Sequence, residues 1–244
     1  MKLSTIGYWG AYPKPDEATS CYLVQDKKTN ILLDCGSGAL AKLQNIISLE
    51  ELDAVFISHI HPDHIADLYC LEFAMLIQTQ LGVRTKPLDV YIFSEQATNL
   101  PFSFPEIFRV HEITRNDRLL VGSFTLTFSE NKHEIPCCAI KVSHSNGKNL
   151  VYSADTGYTP QIIDFAKEVD LLLIECSFFK KQQGLVKGHL ATYEVGEIAE
   201  KANVKQVLLT HFPHFGQIDQ LVEEVKEITK KDVMCAKDGF SINL

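Results

Sequence analysis

The stretch "FISHIHPDHIADL", residues 56–68, gathers three imidazoles and one carboxylate into the six positions from His59 to His64. It overlaps the end of an apolar run, "DAVFIS" at 53–58, which is typical of a buried β-strand. Four such groups side by side would crowd charge and unpaired imidazoles at one spot unless a cation held them. The stretch therefore predicts a metal site just beyond the end of a strand.

The spacing inside this loop indicates how the groups are presented. Alternate residues of an extended chain share a side, so His59 and His61 can point the same way. Pro62 fixes its own φ, and Asp63 and His64 then fall where the next helix begins. One loop can thus offer two imidazoles to one ion and a carboxylate with an imidazole to another.

Three more ligand-type residues stand at or just past the ends of predicted strands. His133 follows "FTLTFSE", Asp155 closes "NLVYSAD" and His211 closes "KQVLLT". Imidazole with carboxylate suits Zn²⁺, and also Mn²⁺ or Fe²⁺. Five histidines and two aspartates exceed the needs of one tetrahedral ion, but they suffice for two ions that share a bridging carboxylate.

The rest of the chain reads as many strands with a few helices between them. Further strand-like runs lie at 21–25, 30–36, 89–93, 138–142 and 170–175, and the Asn146-Gly147 pair predicts a hairpin turn within 143–148. Apolar stripes at helical spacing occupy 65–80, 192–202 and 217–230. This pattern predicts a layered α/β protein with helices outside, and the absence of a linker predicts one domain over 1–244.

Composition narrows the classes of partner and the location. A formal net charge of −8 argues against broad nucleic-acid binding, which depends on Lys and Arg neutralising phosphates. Seven cysteines without a CxxC pair favour free thiols in a reducing compartment. No signal peptide and no apolar stretch of membrane-spanning length is found, so we expect a cytoplasmic protein without a membrane partner.

The sequence resembles the metallo-β-lactamase superfamily, because "SHIHPDH" at 58–64 matches its HxHxDH signature. Further matching stretches follow along essentially the whole chain: "ILLDCGSG" at 31–38, "NKHEIPCCAIKV" at 131–142, "YSADTGY" at 152–158, "LLTHF" at 208–212 and "AKDGFSINL" at 236–244. The resemblance implies a four-layer αββα sandwich, in which two mixed β-sheets are flanked by helices and the metals lie at one edge.

Within that superfamily the chain is most similar to the ribonuclease Z-like branch. The similarity lies in "GHLATYEVGEIAEKANVKQVLLTHF" at 188–212, which contains His189, and in "DLLLIECSF" at 170–178, which contains Glu175. The resemblance implies that one ion is bound by His59, His61 and His133, the other by Asp63, His64 and His211, with Asp155 as the bridge. Asp34 and Glu175 would orient the imidazoles, although Asp34 could instead cap the "CGSG" turn.

The chemistry of such a site suggests roles in catalysis for some of these residues. Asp63 could accept a proton from the attacking water, and His189 could bind a phosphate oxygen or protonate the departing alkoxide. The alternative for His189 is a structural role, in which it is a loop histidine that caps the following helix. Tyr158 and His214 are candidates for contact with substrate, and a structural role for His214 is the alternative.

One departure from ribonuclease Z bears on the substrate. The enzyme that trims transfer RNA carries a long glycine-rich arm between its third histidine and its bridging aspartate. Only 21 residues separate His133 from Asp155 here, so no such arm fits and transfer RNA is not expected as a substrate.

The leading hypothesis is a zinc-dependent phosphodiesterase in which a hydroxide between two ions attacks a small or short nucleotide phosphodiester. The alternatives are a lactonase or other carboxylic ester hydrolase, an endoribonuclease of the ribonuclease Z type, and a metal-dependent scaffold without catalysis. Substrate specificity is expected to reside in loops such as 94–118, where Phe102, Phe104 and Phe108 could line a pocket or simply pack in the core. The resemblance also allows a homodimer.

Overall fold

The predicted apolar strands form two separate sheets in the computed structural model, which describes residues 1–244. The chain divides into two compact units. The first unit comprises 1–7, 11–114 and 238–243, and the second comprises 8–10, 115–237 and residue 244. A single domain over 1–244 stays a prediction.

The chain contains fourteen β-strands and six α-helices. The strands are β1 Lys2–Gly7, β2 Cys21–Gln25, β3 Asn30–Leu33, β4 Ala54–Ile57, β5 Leu88–Ile92, β6 Phe108–Glu112, β7 Arg118–Val121, β8 Phe124–Glu130, β9 Cys138–His144, β10 Asn149–Tyr152, β11 Leu171–Glu175, β12 Gln206–Thr210, β13 Asp232–Cys235 and β14 Ser241–Asn243. The helices are α1 Ala39–Leu43, α2 Pro62–Ile65, α3 Leu68–Gln80, α4 Pro160–Phe165, α5 Thr192–Lys201 and α6 Ile218–Lys226. No helix has both the length and the apolar character that crossing a bilayer requires.

The first unit contains a mixed seven-stranded sheet with the order β14-β1-β2-β3-β4-β5-β6. Strands β3 to β6 run parallel, and the four residues of β4 are all buried, as is typical of a parallel strand covered on both faces. In the β3–β4 register Leu33 is opposite Phe56, so both strands end side by side. Residues that follow these two strands, Asp34 and Ser58, therefore meet at one edge of the sheet.

The second unit contains a mixed seven-stranded sheet with the order β13-β12-β11-β10-β9-β8-β7. Strands β10 to β13 are parallel, and the β9–β10 pair is the predicted hairpin, with Gly147 at φ 88° in its turn. The parallel strands β10, β11 and β12 end together. Glu175 is the last residue of β11, His211 directly follows β12 and Asp155 lies three residues beyond β10, which is why residues far apart in sequence become neighbours.

The structure also differs from the sequence-based expectations in places. The helical stripe at 65–80 is broken at Asp67, the N-cap of α3. Its backbone N–H donates to the Cys35 carbonyl oxygen at 3.1 Å and not to the carbonyl oxygen of Asp63, four residues earlier, so α2 does not continue into α3. The segment 94–118 contains strand β6, whose residue Phe108 is in the core of the first unit with Phe102 packed against it. Core packing is thus the observed role of these two phenylalanines.

Candidate metal centre

His59 and His61 in the first unit direct their rings to a common point, as the alternation of an extended chain predicts. Nε2 of His59 lies 3.1 Å from Nδ1 of His61. The other nitrogen of His59, Nδ1, is 3.0 Å from the hydroxyl oxygen of Ser58. The rings thus bring one nitrogen from each imidazole close enough to coordinate one ion.

Asp34 fixes the orientation of two imidazoles in the first unit. Its fully buried carboxylate accepts the Ser58 hydroxyl at 2.8 Å and the Nδ1–H of His64 at 2.7 Å, and it also accepts the Ser58 backbone N–H at 2.7 Å. Because the single Ser58 hydroxyl hydrogen goes to Asp34, its oxygen accepts from Nδ1–H of His59. In both histidines Nδ1 then carries the hydrogen, and Nε2 is the nitrogen with the lone pair that can bind metal.

Asp63 and His64 lie together in the short helix α2, where the sequence predicted a helix start. Asp63 Oδ2 is 3.6 Å from His64 Nε2 and accepts the backbone N–H of Ala11 at 2.8 Å. The preceding turn approaches this helix so closely that a Cβ on Gly36 would lie 2.1 Å from the Asp63 carbonyl oxygen. Glycine in the "CGSG" stretch therefore permits the contact that seats the ligand loop.

Asp155 in the second unit faces two histidines with two different oxygens. Oδ2 is 3.8 Å from His133 Nε2, and Oδ1 is 3.3 Å from His211 Nε2. The carboxylate is nearly fully buried. Asp155 therefore presents a separate oxygen to each of the two imidazoles.

The outer nitrogens of these two histidines also have oxygen neighbours. Nδ1 of His133 is 3.1 Å from the Gly188 carbonyl oxygen and 2.8 Å from a carboxylate oxygen of Glu134. Nδ1 of His211 is 2.9 Å from the Ser177 hydroxyl oxygen. Hydrogen bonds of this kind fix the ring tautomer and leave Nε2 directed at Asp155.

Glu175 is the buried acceptor around which this part of the second unit is arranged. Oε1 accepts the backbone N–H of Thr156 at 2.7 Å and the Nδ1–H of His189 at 3.1 Å. Oε2 accepts the Ser177 hydroxyl at 2.6 Å and the Leu190 N–H at 3.2 Å. The carboxylate thereby links three groups: the His189 ring, the backbone of Thr156 next to Asp155, and the Ser177 hydroxyl that contacts His211.

The environment of His189 favours its protonated form. Burial alone would lower its pKa, but the charge of Glu175, the hydrogen bond to Glu175, and the charges of Asp155 and Glu134 outweigh burial and raise the pKa to about 10. His189 does not cap the next helix, since Glu194 accepts the N–H of Ala191 at the start of α5. Its Nδ1 is bound to Glu175 and its side chain remains 19% exposed.

Three residues at the strand ends have backbone conformations in the left-handed region. The φ angles are 57° at Asp34 after β3, 50° at Ala154 after β10 and 55° at His211 after β12. Non-glycine residues adopt this region at a cost of about 1–3 kcal/mol each, so the surroundings must hold them there. All three occur at or next to the donor groups, where such strain is common in functional sites.

Tyr158 and His214 are held by neighbours in the second unit. The Tyr158 hydroxyl accepts Lys201 Nζ at 2.8 Å, and contact with substrate stays a prediction for this residue. His214 donates through Nε2 to the Gly10 carbonyl oxygen at 3.1 Å, and its ring stacks on Trp9 with centroids 5.1 Å apart. These contacts support a structural role for His214, which was the alternative to contact with substrate.

Sequence reasoning missed Ser58 and Ser177. Both contact a histidine ring and a buried carboxylate, and both are among the buried polar residues. The available signals were the position of Ser58 directly before the HxHxDH stretch and the alternation that places Ser177 on the same side as Glu175.

The residues present fit divalent transition-metal ions. Within each unit the inward atoms are imidazole nitrogens and carboxylate oxygens, which Zn²⁺, Mn²⁺ and Fe²⁺ all accept. In four of the histidines the outward Nδ1 has an oxygen partner, as is common around metal-bound histidines: His59, His64, His133 and His211.

Comparison with known proteins places the chain in a family. The beta-lactamase superfamily domain matches residues 29–212. The chain is 38% identical over 243 residues to "Probable metallo-hydrolase YhfI" of Bacillus subtilis (strain 168), with 98% of each chain covered.

Three further likenesses extend this result. The crystal structure of YhfI, described as a metallo-beta-lactamase fold protein, superposes with a TM-score of 0.94 at 37% identity, covering 99% of this chain and 98% of that one. Ribonuclease Z of Archaeoglobus fulgidus is 23% identical over 306 residues, covering 100% and 98%. A structure titled as a new diphosphatase from the PhnP family has a TM-score of 0.75 at 17% identity, covering 100% and 97%, which indicates a shared fold alone. With two mixed seven-stranded sheets flanked by helices and this family match, the chain belongs to the metallo-β-lactamase superfamily and has its predicted fold.

Proposed function

We propose that the protein is a binuclear metal-dependent hydrolase that cleaves a small or short nucleotide phosphodiester. The observation that carries the proposal is Asp155, whose two oxygens face His133 and His211 separately. Membership of the superfamily and the likeness to a probable metallo-hydrolase support hydrolysis. The likeness to ribonuclease Z supports a phosphodiester as the substrate class.

The proposed ligands divide between two ions, most simply Zn²⁺. His59, His61 and His133 would bind the first ion, Asp63, His64 and His211 the second, and Asp155 both. This division comes from the sequence resemblance. The orientation of the donors within each unit supports it, because the oxygen partners of His59, His64 and His211 contact Nδ1, and Nε2 is the nitrogen assigned to metal.

Bound divalent ions would lower the pKa of coordinated water and polarise the scissile group, and the chain's own residues would move the protons. Asp63 would accept a proton from the attacking water. Its Oδ2 is already oriented by the Ala11 N–H at 2.8 Å, so the carboxylate has a fixed direction.

His189 would act on the departing group. Glu175 holds Nδ1–H, so Nε2 is the atom that can donate a proton to the leaving alkoxide or a hydrogen bond to a phosphate oxygen. The surrounding carboxylates keep the ring protonated, and a protonated imidazole complements an anionic phosphodiester better than a neutral ester. This charge favours the phosphodiesterase over the lactonase.

The chain between His133 and Asp155 supports a substrate smaller than transfer RNA. It forms a short loop, the strands β9 and β10, and the turn between them, with no inserted arm. We also retain a cytoplasmic location as part of the proposal, since all seven cysteines are free thiols. A homodimer remains a prediction from the resemblance.

The direct test is turnover of bis(p-nitrophenyl) phosphate by metal-reconstituted protein, beside a lactone and a thioester. We expect the phosphodiester to be cleaved and the reaction to fall by about 10²–10⁴ in His189→Ala. Cleavage of the lactone alone would replace the proposed substrate class. No cleavage of any of the three by fully metallated protein would refute the hydrolase.

A further inference from the structure

The hydroxyl of Ser177 lies between a buried carboxylate and a histidine ring in the second unit. It is 2.6 Å from Glu175 Oε2 and 2.9 Å from His211 Nδ1. We propose that Ser177 is a positioning residue that lets the single carboxylate of Glu175 orient both His189 and the metal-binding imidazole of His211. The inference rests on the proposed function, because it takes His211 as a metal ligand.

The direction of these hydrogen bonds follows from the single hydrogen of a hydroxyl. The 2.6 Å contact to a carboxylate oxygen has the length of a charge-assisted bond, so the Ser177 hydrogen goes to Glu175. The oxygen of Ser177 must then accept from Nδ1–H of His211. This sets the ring tautomer, with Nε2 as the lone-pair nitrogen 3.3 Å from Asp155 Oδ1.

Glu175 makes its bonds with four groups, and its oxygens are fully used. Oε1 accepts from Thr156 N–H and His189 Nδ1–H, and Oε2 accepts from Leu190 N–H and the Ser177 hydroxyl. A carboxylate has about four lone-pair sites, so this set saturates it. Ser177 therefore extends the carboxylate to a second imidazole that it does not contact itself.

The backbone places Ser177 where this relay is needed. Strands β11 and β12 are parallel, with Glu175 opposite Thr210, and Cys176 N–H donates to the Thr210 carbonyl oxygen at 2.8 Å just beyond them. Ser177 follows Cys176 and His211 follows Thr210, so these two residues are adjacent. The left-handed φ of 55° at His211 turns that chain at the point of contact, and the Ser177 hydroxyl also lies 3.3 Å from the His211 carbonyl oxygen.

The first unit contains the same arrangement built from unrelated sequence. Asp34 accepts the Ser58 hydroxyl at 2.8 Å, the Ser58 oxygen is 3.0 Å from His59 Nδ1, and Asp34 binds a second imidazole, His64, directly. The recurrence of carboxylate, serine and imidazole in both units indicates that the serine serves the histidine and is not simply a polar group buried by accident.

The test compares Ser177→Ala and Ser177→Thr, with Ser4→Ala as the matched control. Ser4 is another buried serine, on β1, and its hydroxyl makes no hydrogen bond. The readouts are Zn²⁺ affinity, from competition with a chromophoric chelator, and the exchange protection of the His211 Nδ1–H in ¹⁵N NMR spectra. Neither depends on activity.

We expect Ser177→Ala to weaken Zn²⁺ binding by about 10–100-fold and to lose protection of the Nδ1–H, while Ser177→Thr and Ser4→Ala stay within about threefold of the wild type. Glu175→Gln, which keeps the side-chain shape, should lose the same protection and provides the test if Ser177→Ala fails to fold. Unchanged affinity with a protected Nδ1–H in Ser177→Ala, or in Glu175→Gln if that is the folded variant, would overturn the inference. If the wild-type protein itself binds no Zn²⁺, the proposed function fails instead, so the two failures are distinguishable.

Discussion

The two units have the same hydrogen-bond arrangement around their histidines, but the imidazole bound directly by the carboxylate is buried in the first unit and partly exposed in the second. In the first unit Asp34 binds His64 directly and reaches His59 through Ser58, and in the second Glu175 binds His189 directly and reaches His211 through Ser177. Asp34 and Glu175 are both buried at strand ends. The shared feature is therefore a carboxylate that holds one imidazole directly and another through a hydroxyl.

The difference lies in the directly bound imidazole. His64 is fully buried and 2.7 Å from Asp34, whereas the His189 side chain is 19% exposed and 3.1 Å from Glu175. A buried imidazole with fixed direction suits a metal ligand, and an exposed one suits proton exchange with substrate. The two proposed roles, metal ligand for His64 and proton donor for His189, therefore differ in the exposure of the imidazole and not in the type of its carboxylate partner.

The largest expected effect comes from Asp155→Ala, which removes a buried carboxylate whose two oxygens face His133 and His211. We expect hydrolysis to fall by at least about 10³, because the variant loses the carboxylate that we propose as the bridge between two ions. Steady-state rates with bis(p-nitrophenyl) phosphate check this. Retention of more than about a tenth of the wild-type rate would show that Asp155 does not bridge.

The variants His64→Ala and His189→Ala test whether the two directly bound imidazoles have different roles. His64→Ala should lose metal and activity together, since it removes a proposed ligand. His189→Ala should keep its metal and lose about 10²–10⁴ in rate, since it removes only a proton donor. Metal content by atomic emission and hydrolysis rates, measured on the same samples, distinguish a metal ligand from a proton donor. Loss of metal from both variants would contradict the proposal that only His64 is a ligand.

The pH dependence sharpens the assignment of His189. Its raised pKa means that the protonated form prevails at neutral pH, so the rate should fall as pH rises toward about 10, and earlier with bound cations that repel the proton. The contribution of this proton to folding stability is present below about pH 6.5 and is lost as pH rises through the folded-state pKa. A rate profile whose alkaline limb persists in His189→Ala would assign that limb to another group.

The smallest effect is expected at Asp170, a buried carboxylate outside both arrangements. Burial opposes its ionisation, but hydrogen bonds from Lys205, Asn149 N–H and Lys148 lower its pKa to about 2. Asp170→Asn should cost about 1–2 kcal/mol of stability at neutral pH, and the wild type loses this contribution as pH falls from about 4 through 2. Urea unfolding measures the cost, and unchanged metal content and rate make this variant the control for the relay carboxylates.

The sequence predicted those parts of the site that depend on local periodicity. The alternation of His59 and His61, the helix start at Asp63, and the strand ends before His133 and His211 are all local features, and the structure contains them. The family resemblance added Glu175 and His189, which the structure joins by a hydrogen bond.

What the sequence could not predict depends on register between distant segments. The contact of Ser177 with His211 arises because β11 and β12 pair in parallel with Glu175 opposite Thr210. Strand β6 escaped prediction because its burial is irregular, with Phe108 in the core and Arg109 exposed. The break at Asp67 depends on its backbone N–H donating to the distant Cys35 carbonyl oxygen, which a helical stripe does not reveal.

The most direct test of the central claim is the transition-metal content of the purified chain, measured by mass spectrometry after saturation and removal of loosely bound ions. Two donor sets joined by one carboxylate predict close to two equivalents per chain. A folded protein that retains less than one equivalent under these conditions would contradict the binuclear centre, and with it the hydrolytic mechanism.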